Sequence, residues 1–367
     1  MIGRVFGAIG AFFGAIGKFI GGIFGAIGRW AKRRPLQATL LALFLIGGYS
    51  AAVLGAGLVG GVMAERAKYP DRIGRRIDNA LLDFRASRGD DSQTSEWTEV
   101  ITNLHTIEHA TIRIGDRVGG GGGIVEIDGN IVFASPLGRF GYLNTRNRLG
   151  PMADLRTPMN LEGLRQSDLY EDPLFSMGEF RTHDLYARQT GPGRYDLYAS
   201  FSRFVRDNCF QFVVARTPVE ANADGVRALT NEWEDVFIAR PGCIRYKDRS
   251  WRFIGTQASG RMVELNPTTL LISIGDHQFD GFNDAWNAPM DPATDIGKII
   301  AFNLETRQSR PYAIGFRNPQ GLAVMRDGRV WETEHGPQGG DEINFVREGE
   351  NYGWPLVTYG MNYGYPR

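Results

Sequence analysis

Cysteine and histidine are scarce in this sequence, which has two cysteines, Cys209 and Cys243, and five histidines among 367 residues. There is no C-x-x-C pair and no cysteine–histidine spacing of the kind that binds zinc, so a zinc module is excluded. In an oxidising compartment the two cysteines could form a disulfide, but the sequence leaves their pairing open.

Net charge is also absent, since 41 Lys and Arg balance 41 Asp and Glu. The two signs are unevenly distributed along the chain. Residues 1–76 carry eleven bases and two acids, which leaves 30 bases and 39 acids for residues 77–367. Nucleic-acid binding needs clustered Lys and Arg to contact phosphates. The mildly acidic body therefore argues against a nucleic-acid partner.

Charged residues are missing altogether from residues 35–64, "PLQATLLALFLIGGYSAAVLGAGLVGGVMA". About 20 apolar residues cross a bilayer core, so this segment predicts a transmembrane helix. A cleaved signal peptide is the alternative, but the run is too long for one and has no clear A-x-A site. Lys32, Arg33 and Arg34 precede the segment, and the positive-inside rule keeps them cytoplasmic. We expect a bacterial inner-membrane anchor with the body in the periplasm or outside.

Glycine is in excess, with 48 residues, nearly twice its average usage. Within residues 1–34 it recurs at every third or fourth position from Gly3 to Gly28, which places a glycine stripe along a helix. Such a stripe allows close helix packing in a membrane. The segment predicts a first membrane span or an amphipathic helix in the interface, followed by a basic cluster. Beyond the apolar segment, residues 65–95 are predicted to form a charged, partly helical stalk.

Long amphipathic patterns are few after residue 100, where short runs rich in Val, Ile, Phe and Tyr alternate with turn signals. Asp128-Gly129 and Asp327-Gly328 each join two such runs and predict β-hairpins. Residues 96–367 are therefore predicted to be all-β, and four-stranded units of roughly 40–45 residues suit a β-propeller. The glycine run 119–123 lacks a Gly-Lys-Ser/Thr sequence and a following helix, so it is interpreted as a connection.

Three motifs follow one another in "IGFRNPQGLAVMRDGRVWETEHGPQGGDEINFVREGENYGWPLVTYG". They are G-x-R-N-P-Q-G-L-A, E-x-G-P-x-x-x-D-E-I-N and G-x-N-Y-G-W-P. The stretch resembles the soluble glucose dehydrogenase and aldose sugar dehydrogenase family (glucose/sorbosone dehydrogenases). These are quinoproteins that carry pyrroloquinoline quinone (PQQ) on a six-bladed β-propeller. Good resemblance covers roughly residues 232–363 and implies that fold, a sugar substrate, PQQ and Ca²⁺.

The resemblance assigns cofactor contacts to two adjacent residues, Arg317 and Asn318. A planar guanidinium suits the carboxylates of PQQ and can stabilise the charge that grows on the quinone oxygen as hydride arrives. The alternative is that Arg317 only bonds to main-chain carbonyls of its own blade.

Calcium ligands are likewise implied by the resemblance. Gly336 and Pro337 fall where main-chain carbonyls of the family hold the Ca²⁺ that polarises the quinone, and oxygen ligands of this kind suit a hard cation. Glu342 and the carbonyl of Tyr352 resemble a second, structural Ca²⁺ site. The alternative is that the acidic pair and the glycine-rich turn only shape a blade edge.

The catalytic base is where the sequence departs from the family. The family has a His four residues before an Arg, and an apolar strand ending in Gly-Asp follows. Arg261 and Asp276 are present at the right spacing, and Asp276 is the residue implied to orient the base, but the base position holds Gln257. An amide has no useful basicity. His335 in the glycine-rich loop and His277 beside Asp276 are the candidate substitutes. Three further histidines fall in regions that the resemblance does not align, His105, His109 and His183.

The family's later blades supply further basic cofactor contacts, which would lie beyond residue 367. The motif order therefore predicts an incomplete propeller in a C-terminally truncated chain. Two functions remain open at this point. One is a membrane-anchored, exported PQQ-dependent aldose dehydrogenase that passes electrons to an unknown acceptor. The other is a non-catalytic propeller that binds a saccharide or a protein partner after losing its base.

Overall fold

The protein is described by a computed structural model. Residues 121–146, 148–170, 180–206, 209–245 and 256–361 are described with their side chains, and four short strands before them by backbone alone. All of them lie in the compact unit Gly74–Arg367. The four early strands form two antiparallel pairs, β1 (Gln93–Thr94) with β4 (Ile112–Arg113) and β2 (Thr98–Ile101) with β3 (Thr106–His109).

The membrane segments predicted at residues 1–34 and 35–64 lie outside the described residues, so both stay predictions. The same holds for the stalk at residues 65–95, apart from β1, which is a strand near its end. Within the described ranges, no helix is long and apolar enough to cross a membrane.

Antiparallel sheets follow one another along the rest of the chain, in the manner of propeller blades. Blade A contains β5 (Gly123–Ile127), β6 (Asn130–Ala134), β7 (Arg139–Leu143) and β8 (Leu149–Arg156). Blade B contains β9 (Thr182–Gly191), β10 (Arg194–Phe204), β11 (Cys209–Asn222) and β12 (Gly225–Ala228), with β13 (Glu234–Ile238) and β14 (Ile244–Arg245) also paired to β11. Blade C contains β15 (Ser259–Asn266), β16 (Thr269–Ile274), β17 (Lys298–Asn303) and β18 (Ser309–Ile314). Blade D contains β19 (Pro319–Val324), β20 (Val330–Glu334) and β21 (Glu342–Val346).

The first strands of the four blades are neighbours in space. Strand β5 contacts β9, β9 contacts β15, and β15 contacts β19. This arrangement is the inner wall of a propeller, in which each blade contributes its first strand to the central channel. The all-β, propeller-type prediction is confirmed for four blades of the described chain.

Both predicted hairpins are present. Asp128 and Gly129 join β5 to β6 with φ of 49° and 77°, which is the left-handed geometry that an Asp-Gly turn favours. Asp327 and Gly328 lie in the turn between β19 and β20. The glycine run before β5 leads into this strand rather than into a helix, as predicted.

Hydrophobic clusters fill the spaces between successive blades. Strand β16 shows why its sequence, "TLLISI", is apolar almost throughout: Leu270, Ile272 and Ile274 pack towards blade B, and Leu271 packs towards blade D. Side chains alternate between the two faces of a strand, and a strand buried on both faces needs apolar residues at successive positions.

Two smaller elements complete the described body. A short helix, α1 (Leu161–Arg165), links blades A and B, and the side chain of Asn160 accepts a hydrogen bond from Gly163 N at its start. A 3₁₀ turn, Ala288–Met290, lies between β16 and β17. Cys209 and Cys243, whose pairing the sequence left open, form a disulfide with their Cα atoms 5.3 Å apart.

Candidate functional site

Arg317 and Asn318 lie where the chain passes from β18 into β19, at the mouth of the inner wall. Their backbone N–H groups both donate to Glu334 Oε2, at 2.7 and 3.2 Å. Glu334 ends β20 and pairs with Pro319, so the hairpin register brings its carboxylate under the two amides. Burial raises the pKa of Glu334 to about 7, although both N–H donors act to lower it.

The Arg317 guanidinium contacts and stabilises the loop that follows Glu334. Its Nη1 donates to the carbonyl oxygens of His335 and Gly336, each at 2.8 Å, and its Cζ lies 5.5 Å from the centre of the Trp354 ring. The side chain is almost entirely buried. The main-chain contacts considered as the alternative for Arg317 are therefore present, and a cofactor contact stays a prediction.

Gln257, at the base position, connects Asp276 to Arg317. The amide orientation that satisfies both neighbours places Nε2 2.5 Å from Asp276 Oδ1 and Oε1 2.9 Å from Arg317 Nη2. The backbone of Gln257 is left-handed, with φ of 52°, and its carbonyl oxygen comes so near Gly275 that a Cβ there would lie 1.8 Å away. Only glycine fits that position, and the contact holds the two loops of the site together.

Asp276 is fully buried at the centre of these contacts. Its backbone N–H donates to Arg317 O at 2.8 Å, and its carboxylate accepts from Gln278 N at 2.8 Å and from Trp354 Nε1 at 2.7 Å. Burial raises the pKa of Asp276 to about 7, while the N–H donors and the charge of Arg317 lower it. Asp276 lies beyond β16, in a turn rather than at the end of the strand. Its carboxylate contacts the Gln257 amide, and its role in orienting a base stays a prediction.

Asn318 lies at the other side of the site, where two side chains donate to its amide oxygen. Ser259 Oγ is 3.1 Å from Asn318 Oδ1, and Gln320 Nε2 is 3.4 Å from the same atom. The Asn318 amide nitrogen is directed by these contacts away from both donors. Hydroxyl and amide groups from β15 and β19 therefore meet beside the guanidinium of Arg317.

The residues predicted to bind the cofactor-side calcium ion are close to Arg317, and their carbonyl oxygens already accept hydrogen bonds. Gly336 O accepts from Arg317 Nη1 and Pro337 O accepts from Gly340 N, both at 2.8 Å. A calcium ion on Gly336 O would lie next to a guanidinium, and two cations in contact repel strongly where water is excluded. In this geometry Gly336 O does not fit a calcium ion, so no step is derived through such an ion.

Glu342 and Tyr352, the residues of the second predicted calcium site, make other contacts. Glu342 Oε2 accepts from Asn344 Nδ2 at 3.2 Å, and the Tyr352 hydroxyl donates to Phe345 O at 2.7 Å. No group of three or more His, Cys, Asp or Glu side chains that could hold a metal ion occurs in the described part of the chain. Both calcium sites stay predictions from the resemblance.

The two candidate substitute bases, His335 and His277, make other contacts. His335 has an exposed side chain, 3.6 Å from Asp341, and contributes to the site through its backbone. His277 is buried, with Nδ1 3.1 Å from Thr256 O, and burial lowers its pKa to about 4. Arg261, the other residue of the family spacing, pairs with Asp184 on β9. The side chains of His105 and His109 are outside the described set, whereas His183 lies on β9 at the inner wall.

The residues of this site are chemically compatible with PQQ. PQQ is an anionic, planar acceptor, and the donor set beside Asn318 consists of neutral amide and hydroxyl groups with guanidinium groups around them. Planar guanidinium groups bind carboxylates bidentately, and buried N–H donors stabilise charge on an oxygen. Arg317, Asn318 and Gln320 are the residues that would hold such a group.

Two residues of the site were not assigned by the sequence. Trp354 lies within the G-x-N-Y-G-W-P motif, so the motif marked its position but not its hydrogen bond to Asp276. Glu334 opens the second motif, and a buried carboxylate under two N–H groups leaves no mark in a sequence pattern.

Comparison with known proteins gives a family match for part of the chain. Residues 196–366 match the profile of the family described as Glucose / Sorbosone dehydrogenase. The chain is 37% identical over 117 residues to the aldose sugar dehydrogenase YliI of Escherichia coli (strain K12), covering 30% of this chain and 32% of the relative. It is 39% identical over 79 residues to quinoprotein glucose dehydrogenase B of Acinetobacter calcoaceticus, covering 18% of this chain and 16% of the relative.

A third relative, an uncharacterized protein (slr1608) of Synechocystis sp., is 31% identical over 207 residues, with 49% of this chain and 47% of the relative covered. The chain thus spans less than half the length of each of these three relatives. The similarity is real but partial, and what the relatives do is not transferred by it.

Solved structures agree on the fold. A crystal structure of a glucose dehydrogenase matches with a TM-score of 0.52 at 20% identity, covering 75% of this chain and 70% of the other. The apo-form of the soluble aldose sugar dehydrogenase from Escherichia coli matches with a TM-score of 0.50 at 21% identity, covering 68% and 67%. The three motifs, the sequence similarity and this fold agree, and residues 196–366 of the chain are similar to the Glucose / Sorbosone dehydrogenase family.

Proposed function

We propose that this chain is a quinone-dependent sugar dehydrogenase, which oxidises an aldose at C1. One observation carries the proposal: Gln257, Asp276 and Arg317, which are far apart in the sequence, meet in one hydrogen-bonded chain beside Asn318. This is the constellation that the family resemblance implies, with a single substitution at the base position.

PQQ, when bound, supplies the acceptor for the hydride from the sugar. Arg317 and Asn318 would bind and orient the cofactor, and the burial of Arg317 would strengthen its interaction with developing negative charge. Trp354 closes this side of the site and keeps water from the Asp276 carboxylate.

Removal of the proton from the sugar hydroxyl is the step that this site supports least. Hydride can leave C1 only as the hydroxyl loses its proton, and positioned bases contribute roughly 10²–10⁴-fold to such steps. Gln257 cannot accept that proton, and its amide separates the hydroxyl from Asp276, whose carboxylate already accepts from Trp354 and Gln278. We therefore expect turnover to be slow compared with a site that carries His at this position.

A non-catalytic propeller is the second candidate, and the Gln257 contacts favour it. An amide satisfied on both sides by Asp276 and Arg317 is a structural bridge that needs no substrate. Under this alternative the chain binds a saccharide or a protein partner. Export of the body on a membrane anchor is part of both proposals and rests on the uncharged segment at residues 35–64.

Cofactor binding separates the two candidates. The full-length chain is titrated with PQQ and followed by absorbance, with and without Ca²⁺, and dye reduction is then measured with glucose and other aldoses. The dehydrogenase proposal predicts saturable PQQ binding and sugar-dependent reduction, both weakened in Arg317→Gln and unchanged in Arg329→Gln on the β19–β20 turn.

Absence of PQQ binding and of dye reduction would contradict the dehydrogenase and leave the binding propeller. The same titration tests calcium: an increase in PQQ affinity on adding Ca²⁺ requires that Arg317 release Gly336 O. An unchanged affinity would remove calcium from the proposal.

A further inference from the structure

The positive charge of Arg317 lies against two main-chain carbonyl groups at the start of the glycine-rich loop. Its Nη1 donates to His335 O and Gly336 O, each at 2.8 Å, so one NH₂ group spans two successive carbonyls. The resemblance assigns Gly336 and Pro337 to the calcium ion on the cofactor side. A cation supplied by the chain therefore already contacts one of the carbonyl oxygens that the resemblance gives to calcium.

The backbone of Arg317 is fixed by contacts from two blades. Arg317 N donates to Glu334 Oε2 at 2.7 Å, and Arg317 O accepts from Asp276 N at 2.8 Å. Glu334 ends β20 of blade D, whereas Asp276 follows β16 of blade C. A movement of the backbone that withdrew the guanidinium from the carbonyls would have to break these hydrogen bonds.

The side chain of Arg317 is held as firmly as its backbone. Arg317 is 7% exposed, and its Cζ lies 5.5 Å from the centre of the Trp354 ring. In the amide orientation that satisfies Gln257, Arg317 Nη2 lies 2.9 Å from Gln257 Oε1. One nitrogen is thus directed at the carbonyls, the other at the amide, and the guanidinium lies over the indole. Another rotamer would lose all three contacts at once.

The guanidinium also has buried acidic groups around it. Asp276 is fully buried and Glu334 is 7% exposed, and both contact the backbone of Arg317. A guanidinium keeps its proton in proteins, and a buried cation is tolerated where acidic groups and hydrogen-bond acceptors compensate it. Arg317 therefore supplies this part of the site with a permanent positive charge from within the chain.

A calcium ion on Gly336 O would lie very close to this guanidinium. Calcium binds oxygen ligands at about 2.3–2.6 Å. Because Arg317 Nη1 is 2.8 Å from the same oxygen, the two cations would be at most about 5 Å apart. Two like charges at this separation repel strongly where water is excluded. The arginine contact and calcium binding are therefore alternatives at this carbonyl.

We propose that the Arg317 guanidinium takes the place of the cofactor-side calcium ion in this chain and excludes calcium from the carbonyls of His335 and Gly336. The exclusion of calcium depends on the contacts of Arg317 and does not rest on the proposed dehydrogenase. The consequence for PQQ does rest on it: Arg317 would supply the positive charge beside the quinone, and PQQ binding would need no metal ion.

Calorimetric titration of the full-length chain with Ca²⁺, without PQQ, tests the exclusion. Glu342→Gln removes the side-chain ligand of the second predicted calcium site, so any binding that remains reports on the carbonyls beside Arg317. We expect Glu342→Gln to bind no Ca²⁺, and Arg317→Ala in the same background to gain a site, because His335 O and Gly336 O lose their donor. Arg329→Ala, on an exposed turn, is the matched control and should gain none.

The urea midpoint of Glu342→Gln, compared in Ca²⁺ and in EGTA, tests the exclusion even where Arg317→Ala does not fold. A ligand that binds the folded chain raises this midpoint, so the proposal expects no difference between the two solutions. Calcium binding by Glu342→Gln, or a higher midpoint in Ca²⁺, would overturn the proposal. A folded Arg317→Ala variant that gains no calcium site would overturn it too, since the carbonyls would then not be a place for a cation.

PQQ titration in Ca²⁺ and in EGTA tests the consequence for the cofactor. The wild type is expected to bind PQQ equally in both solutions, whereas Arg317→Ala should bind it about tenfold or more weakly in EGTA and recover part of that loss in Ca²⁺. A wild-type affinity that rises about tenfold with Ca²⁺ would show that Arg317 gives way to the ion, and would overturn the replacement. Failure of PQQ to bind in every solution would contradict the dehydrogenase, while the calcium titration without PQQ would still decide the exclusion.

Discussion

Trp354 Nε1 donates to Asp276 Oδ2 at 2.7 Å, and this contact closes the site from the side of the G-x-N-Y-G-W-P turn. The indole also packs under the Arg317 guanidinium. One side chain thus holds the buried carboxylate and the cation that flank Gln257. The turn that carries Trp354 is itself held by a hydrogen bond, which Trp354 N donates to Gly315 O at 3.0 Å.

Trp354→Phe is predicted to lower stability in a pH-dependent way. The variant keeps an aromatic ring but removes the donor to Asp276, and a hydrogen bond to a charged group is worth about 1.5–3 kcal/mol. Because the pKa of Asp276 is about 7, the carboxylate is charged at pH 8.5 and protonated at pH 5. Urea unfolding should show the larger loss at pH 8.5.

Trp331→Phe on β20, where the ring packs on Phe345, is the control for loss of an indole. It should cost the same at both pH values. A Trp354→Phe loss that is equal at pH 5 and pH 8.5 would mean that packing, and not the hydrogen bond, accounts for the effect.

Glu332 is predicted to make the fold less stable as the pH rises. It is 1% exposed, and its Oε2 has no hydrogen-bond partner among the described residues. Burial, followed by the charge of Glu334, raises its pKa from 4.5 to about 8. The folded chain therefore keeps a proton that the unfolded chain releases. This contribution to stability is complete below about pH 4.5 and is lost as the pH rises through 8, at roughly 1.4 kcal/mol per pH unit within that window.

Glu332→Gln replaces the protonated acid by a neutral amide and should remove this dependence. We expect the variant to match the wild type near pH 4 and to be more stable at pH 8.5, as measured by the urea midpoint. Glu350→Gln, at an exposed position, is the control and should keep the pH dependence of stability that the wild type shows. A wild type that gains stability over Glu332→Gln between pH 5 and 8 would contradict the prediction.

Strand β20 also shows what the sequence could not reveal. In "VWETE", hydrophobicity predicts that Trp331 lies on the buried face of the strand. In the structure the buried residues are Val330, Glu332 and Glu334. The inward carboxylates are stabilised by contacts from other strands, Asn344 on β21 and the backbone of Arg317 and Asn318. Long-range partners of this kind leave no local periodicity.

Other parts were predictable for identifiable reasons. The hairpin at Asp128-Gly129 follows from local turn chemistry, and the burial of β16 follows from its uninterrupted apolar run. Gln257, Asp276 and Arg317 were brought together only by the family resemblance, since their spacing carries no physical rule.

Lys298 is predicted to be essential for blade C. Its Nζ donates to the carbonyl oxygens of Ala288, Asp291 and Ile296 at 2.9, 3.0 and 3.1 Å, and the side chain is 1% exposed. The amino group thus closes the turn between β16 and β17, and burial lowers its pKa to about 8. Lys298→Met should lower the free energy of unfolding by about 2–5 kcal/mol, because the buried carbonyls lose their donor.

Arg310→Met, which removes an exposed ion pair with Glu348 on the neighbouring surface, is the control and should cost at most about 1 kcal/mol. Urea unfolding of the two variants is compared at pH 7. Equal small losses in both would show that the carbonyls find water instead, and that the turn does not depend on Lys298.

Gln257→His is predicted to raise sugar oxidation. Imidazole at this position can reach Asp276 Oδ1, where the Gln257 amide nitrogen now donates at 2.5 Å, and the carboxylate would orient the ring with its second nitrogen towards the site. A positioned base contributes roughly 10²–10⁴-fold, so kcat for an aldose should rise by about that range while PQQ affinity, which depends on Arg317 and Asn318, changes little.

Gln308→His, on an exposed turn of blade C, is the matched control for an added histidine. A pH profile in which the variant loses activity on acidification, as the new imidazole is protonated, would identify it as the base. If instead PQQ binds to both proteins and neither oxidises any aldose, the Gln257 bridge is structural and the binding propeller is the better account of this chain.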